Sequence, residues 1–141
     1  MGIKLKDILL EGLNKKAIID VVNKVYPYIV KKLGGSTVKI EVHANIWKRV
    51  DAVGIEDLLK VENPSAEYDW EANKIYLYQS RMKNVEEVIK ALLHEHTHSK
   101  QDRKKMKAMY DSGKTYKNHP FEKQAHAAEK TWKNYLKYLD D

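Results

Sequence analysis

The sequence predicts a small α+β domain, on three observations. Apolar residues recur at helical spacing in both end thirds of the chain, apolar and polar residues alternate in the middle, and the length of 141 residues suits one hydrophobic core. Strands gathered centrally with helices outside them argue for a short mixed or antiparallel sheet covered by helices, and against a run of βαβ units. The whole chain, 1–141, is read as a single domain.

Residues 1–35 are predicted as helices. Ile3, Leu5, Ile8, Leu9 and Leu13 form one apolar face, and Ala17 through Leu33 form a second amphipathic stretch, stopped by Gly34-Gly35. The sheet region is 36–80. Thr37 to Trp47 alternates Val38, Ile40 and Val42 with Lys39, Glu41 and His43, a half-buried strand in which His43 has no assigned role. A short helix is expected around Ile55 to Leu59, and Asn63-Pro64-Ser65 marks a turn. Tyr68 and Trp70, then Ile75 to Tyr78 beyond Glu71-Ala72-Asn73-Lys74, read as a β-hairpin. At Val85 the period becomes helical through Val88, Ile89, Leu92, Leu93 and His96, giving a helix over 84–102. After a break at Ser112-Gly113, a last helix is predicted over 119–139. Pro120 sits in its first turn, and Phe121, Ala125, Ala128, Trp132, Tyr135, Leu136 and Leu139 form its core stripe.

Composition narrows the function classes. With no cysteine, disulfides and thiolate metal sites are excluded, so a bound metal must use His and carboxylate ligands. The net charge of +6 comes mainly from Lys, with Asp and Glu interspersed. It therefore reads as a solvated surface more than a nucleic-acid face, and the cluster from Arg103 to Lys107 reads the same way. No apolar run approaches the roughly 20 residues of a membrane span, and the N-terminus has neither an apolar signal core nor a cleavage site. The expected location is cytoplasmic.

The chemistry lies in His94-Glu95-His96-Thr97-His98, an H-E-x-x-H pattern on the predicted helix. Residues four apart on a helix share a face, so His94 and His98 can meet one metal ion, while Glu95 can reach a metal-bound water as general base. His96 shares the apolar stripe and reads as a packed core histidine. A catalytic zinc needs a third protein ligand and one open position. Glu122, His126 and Glu129 form a stripe at i, i+4 and i+7 on the last helix. Glu122 is the chosen third ligand, with a capping role at the helix start as its alternative. His126, with Glu129 beside it, is expected to orient a metal-bound residue. It is also the first alternative ligand, ahead of Glu129. Tyr116 and His119 are candidates to stabilise an oxyanion, although each fits a loop or capping role better.

The combination of H-E-x-x-H with Asn118-His119-Pro120-x-Glu122-x-x-Ala125-His126 resembles the gluzincin metallopeptidases, and the small size looks most like the minigluzincins. The likeness covers roughly Tyr68 to Trp132 and departs at His126, where an acidic residue is common in the clan. It implies a zincin-like domain with an active-site helix and a "glutamate helix", holding one Zn²⁺ per chain through His94, His98 and Glu122. It further implies that Lys74, Ile75, Tyr76, Leu77 and Tyr78 form an edge strand along which a peptide substrate lies. Latency through the segment after Glu129, by self-association or within one chain, is implied too.

The expected function is thus zinc-dependent peptide-bond hydrolysis of a peptide or protein substrate. Two alternatives stand beside it: an ImmA- or SprT-like metallopeptidase acting on a regulatory or DNA-associated protein, and a non-catalytic zinc-containing domain that binds nucleic acid.

Overall fold

In the computed structural model, which describes residues 13–44, 65–69, 71–101, 104–105 and 120–139, helix α1 spans Lys15–Leu33. Asn14 caps it, its side-chain oxygen accepting the Ala17 N–H at 2.8 Å. Ile18, Val21, Val22, Val25, Tyr26 and Ile29 are its buried face, repeating at three and four residues. Gly34 and Gly35, at φ 80° and 81°, turn the chain out of the helix in a backbone region that disfavours side chains. The helices expected around Ile3 to Leu9 and Ile55 to Leu59, and the break at Ser112-Gly113, lie outside the described residues.

Three strands follow: β1 (Lys39–His43), β2 (Ala66–Asp69) and β3 (Lys74–Tyr78). β2 and β3 form the expected antiparallel hairpin, with Asp69 opposite Lys74. Its loop is held by Asp69, whose carboxylate accepts the N–H groups of Glu71 and Ala72. Asn73 adopts a left-handed conformation there, at φ 54°. β1 pairs with β3 in parallel, so the strand order is β1-β3-β2 and the sheet is mixed.

That order corrects one expectation. Lys74–Tyr78 is the central strand, bonded on both sides, and not an edge. Its backbone groups belong to the two ladders and cannot receive a peptide. The side chains agree, since Ile75, Tyr76, Leu77 and Tyr78 are all buried. Ile75 and Leu77 face the helices together with Val42 and Ala66. Tyr76 and Tyr78 alternate to the other face, where their rings stand 5.5 and 6.5 Å from that of His43.

Helix α2 (Val85–Ser99) crosses the core between α1 and the sheet. Asn84 caps it by accepting the Glu87 N–H, a free donor of the first turn, and Glu87 reaches back to accept the Lys83 N–H just before the cap. Helix α3 (Pro120–Glu129) packs against α2. The predicted single helix over 119–139 is corrected here, because it breaks after Glu129 and resumes as a 3₁₀ helix over Trp132–Leu139. The cause is local. The Thr131 hydroxyl and N–H both bind the Ala128 carbonyl, and the Lys130 N–H binds that of Ala127, so three-residue bonds replace four-residue ones. Tyr135 and Leu139 are buried in the core, and the Tyr138 ring stacks on Tyr28 at 3.6 Å. No helix among the described residues is long and apolar enough to cross a membrane. The domain is a small α+β arrangement of helices and a three-stranded mixed sheet.

Candidate metal centre

The buried stripe of α2 changes character at residue 94. His94, Glu95, His96, Thr97 and His98 are all buried in succession, although each carries a polar group. Burial of such groups is costly unless each has a partner. Thr97 is satisfied within the helix, its hydroxyl donating to the Leu93 carbonyl at 2.7 Å. His96 is satisfied by α1: Nε2 lies 2.8 Å from the Gly34 carbonyl, and Nδ1 lies 2.8 Å from the Tyr26 hydroxyl. That hydroxyl also accepts the Val38 N–H, so His96 donates through Nε2 and accepts through Nδ1. Burial lowers its pKa and keeps it neutral. His96 thus fastens α2 to the end of α1 and faces away from the chemistry.

His94 and His98 point the other way, towards α3, where Glu122 is completely buried in the first turn. His98 Nε2 is 2.6 Å from Glu122 Oε1, His94 Nε2 is 3.1 Å from Oε2, and the two Nε2 atoms are 3.2 Å apart. Both Glu122 oxygens are inaccessible to water and make no hydrogen bond of good geometry. The outer nitrogens explain the arrangement. His94 Nδ1 lies 2.9 Å from Glu129 Oε2, and His98 Nδ1 lies 2.7 Å from Gln101 Oε1. Both partners are acceptors, so in the neutral rings the protons sit on Nδ1 and the Nε2 lone pairs converge on the Glu122 carboxylate. Two lone pairs and a buried carboxylate aimed at one point demand a cation, and the residues fit a metal ion.

Charge tells the same story. Burial alone would lower the His94 pKa, but the carboxylates of Glu122 and Glu129 outweigh it and push it up to about 10. Burial alone would raise Glu122, yet His94 and His98 hold it down at about 2. Both shifts favour a proton retained within this group when no metal is bound. Glu95, buried one residue along, lies with His94 and His98 in a group whose ligand atoms are within 4.8 Å of one another. Its pKa is raised, because burial exceeds the pull of the two imidazoles.

Comparison with protein-family models, with curated proteins and with solved structures finds no match.

Of the residues singled out by sequence, the structure brings together His94, Glu95, His98, Glu122, His126 and Glu129. Of the two candidates for orienting a ligand histidine, Glu129, two turns beyond Glu122, is the one that reaches His94. His126 is exposed at the mouth of the cluster. Its Nδ1 is 2.7 Å from Glu129 Oε2, its Nε2 is 3.8 Å from Glu122 Oε2, and its ring meets that of His94 edge-on. His94, His126 and Glu129 therefore form a second group able to approach a metal ion. Lys74 to Tyr78 lie in the centre of the sheet, and Tyr116 and His119 lie outside the described residues. Two functional neighbours escaped the sequence reading. Gln101 supports His98, and its amide nitrogen donates to Gln124 Oε1 at 2.9 Å, tying the end of α2 to α3. The available signal was spacing, since Gln101 stands three residues after His98 on the same helical face.

Proposed function

We propose that this protein is a zinc-dependent metallopeptidase, with His94, His98 and Glu122 as zinc ligands and Glu95 as general base. The observation that carries the reading is the convergence of His94 Nε2, His98 Nε2 and the buried Glu122 carboxylate, with both imidazoles held from behind. Zinc bonds to His and carboxylate of about 2.0–2.2 Å in a tetrahedron place neighbouring ligand atoms roughly 3.3 Å apart. The distances of 3.2 and 3.1 Å already match that spacing closely, and the His98–Glu122 contact of 2.6 Å must open by about 0.7 Å. Three protein ligands of this kind, with no cysteine, are the pattern of a catalytic site that leaves one position open, whereas structural zinc sites are usually closed by four ligands.

Bound there, zinc supplies Lewis acidity that polarises an amide carbonyl and acidifies a water molecule. The chain's own residues do the rest. Glu129 and Gln101 fix the ring orientation and tautomer of His94 and His98. Glu95, buried and with its pKa raised, is suited to take a proton from the attacking water and return it to the departing amine. The resemblance of the H-E-x-x-H and Glu122-x-x-Ala125-His126 segments to the gluzincins supports the same assignment.

Elemental analysis of protein prepared without chelator, together with turnover of unspecific peptide mixtures, tests it. One zinc per chain is expected, lost in Glu122→Ala and retained in Glu95→Gln, with hydrolysis absent from both variants. A zinc-free wild type that takes up no added metal, or a Glu95→Gln variant as active as wild type, refutes the proposal.

A further inference from the structure

The rim of the cluster has a chemistry of its own. An open cavity of about 450 Å³ lies beside it, between α2 and the break after α3, lined by Lys90, His126, Glu129, Lys130, Trp132 and Lys133. Its volume falls within the range that holds a small ligand or a side chain. Three lysines stand against one carboxylate, and the carboxylate is already engaged: Glu129 Oε2 contacts both His94 and His126. Lys90 pairs with Glu86 at 2.9 Å. Among the described residues, Lys130 and Lys133 have no ion-pair partner, and both are exposed. The Trp132 ring is flanked by the Lys90 and Lys133 ammonium groups, each 5.9 Å from its centroid. The indole is thus within the outer reach of a cation–π contact with both.

The cavity is continuous with the metal-facing residues, because Glu129 and His126 belong to both. A group seated in it lies one side chain away from His94. We propose that this cavity is a specificity pocket for an acidic side chain of the peptide substrate, a glutamate or aspartate near the bond to be cut, held by Lys130 and Lys133 over Trp132. The proposal rests on the peptidase reading for the word substrate, while the pocket's preference for a carboxylate rests on its lining alone. A nucleic-acid backbone fits less well. Polyanion binding needs a row of cations spaced along a surface, whereas here the lysines line a single concavity, room for one charged group and not for a chain of them.

The test is equilibrium binding followed by fluorescence anisotropy, on the zinc-loaded Glu95→Gln protein at low ionic strength. Three labelled peptides of equal length are compared, with Glu, Gln or Lys at the varied positions. The Glu peptide is expected to bind about tenfold more tightly than the Gln peptide, the sum of two exposed charge contacts each within their usual strength. The Lys130→Glu/Lys133→Glu protein is expected to lose that preference and to favour the Lys peptide. Both positions are exposed, so the fold tolerates the change. Equal binding of the three peptides, or a preference that survives the charge reversal, overturns the pocket. Displacement of the Glu peptide by single-stranded DNA at matched charge overturns it in favour of a general polyanion surface. The arms separate the two readings. Acidic-peptide binding with no hydrolysis by the wild type keeps the pocket and refutes the peptidase, whereas hydrolysis indifferent to acidic residues does the reverse.

Discussion

His94 and Glu129 are joined at the back of the candidate metal centre: Nδ1 of the imidazole stands 2.9 Å from Oε2 of the carboxylate, while Nε2 of the same ring faces Glu122. An anion on the outer nitrogen makes the inner one a better donor to a metal and forbids the wrong tautomer. His98 has a neutral partner in the same position, the amide of Gln101. The two ligand histidines are thus supported unequally, with the charged support on the His94 side.

Removing Glu129 should therefore weaken metal binding without unfolding the domain. Glu129→Ala is expected to lower zinc affinity about 10- to 100-fold, the usual effect of losing such a partner. Glu129→Gln keeps an acceptor and should lose less. Competition against a chromophoric chelator measures both. Unchanged affinity in Glu129→Ala would mean that the contact is only a surface ion pair.

The metal-free protein should carry a pH signature of the same cluster. The folded-state pKa of His94 is raised to about 10, so its contribution to stability is complete below the ordinary histidine value and disappears as pH climbs through about 10. Glu122 is depressed to about 2, so its contribution is complete above the ordinary glutamate value and disappears as pH falls through about 2. The pair titrates as a unit, and its joint contribution is largest between about pH 4.5 and 6.5, the two unperturbed values. Melting temperatures of chelator-treated protein across pH should show that maximum flattened in Glu122→Gln. Zinc uptake at pH 7 should also release protons, because metal and proton compete for the same lone pairs. Calorimetry in buffers of different ionisation enthalpy reads the number. A heat independent of buffer would exclude a protonated His94 in the metal-free state.

Much of this was legible in the sequence, for identifiable reasons. The i, i+4 spacing of His94 and His98 needs only a helix to become a shared face, and the apolar stripe from Val85 to Leu93 assures the helix. Assigning His96 to the core followed from the same stripe, and Tyr26 and Gly34 satisfy it there. The central position of β3 has its own signal in the sequence. Ile75-Tyr76-Leu77-Tyr78 is an uninterrupted apolar run without charge, suited to burial on both faces, whereas the neighbouring arm carries Glu67 and Asp69 as strands at a sheet margin do. Which residue would support His94 was not legible. His126 and Glu129 are both within reach of the site on a helix, and only the position of α3 against α2 decides that Glu129 makes the contact. The break after Glu129 depends on a hydroxyl-to-carbonyl bond at Thr131 that no periodicity announces.

His96 supplies a control that separates folding from metal binding. His96→Ala removes one buried and one partly buried hydrogen bond, leaves the Tyr26 hydroxyl without its acceptor, and opens a cavity, at a cost of about 2–4 kcal/mol. Tyr26→Phe should cost about 1–2 kcal/mol, since it leaves His96 Nδ1 and the Val38 N–H without their partner. Both are measurable by urea unfolding. Zinc stoichiometry of the folded fraction should stay at wild-type level in each, because the ring faces α1. Loss of zinc in a folded His96→Ala protein would place this residue in the metal centre.

The C-terminal 3₁₀ helix poses the last question. Latency of the gluzincin-like kind would make this segment a cover, and removing a cover should raise activity and leave the fold intact. Its packing points elsewhere. Tyr135 is 2 % exposed and Leu139 3 % exposed, both within the core cluster, and the Leu139 carbonyl accepts from Lys24 on α1 at 3.4 Å. Full burial of each large apolar side chain is worth about 1.5–3 kcal/mol, and the net stability of a domain is only about 5–15 kcal/mol. A chain ending at Thr131 should therefore lose several kcal/mol, and its thermal transition should broaden or vanish. The double substitution Tyr135→Ala/Leu139→Ala should reproduce that loss in the full-length chain, which ties it to packing and not to the cut. A truncated protein that melts like wild type and hydrolyses peptides faster would show the segment to be a cover after all.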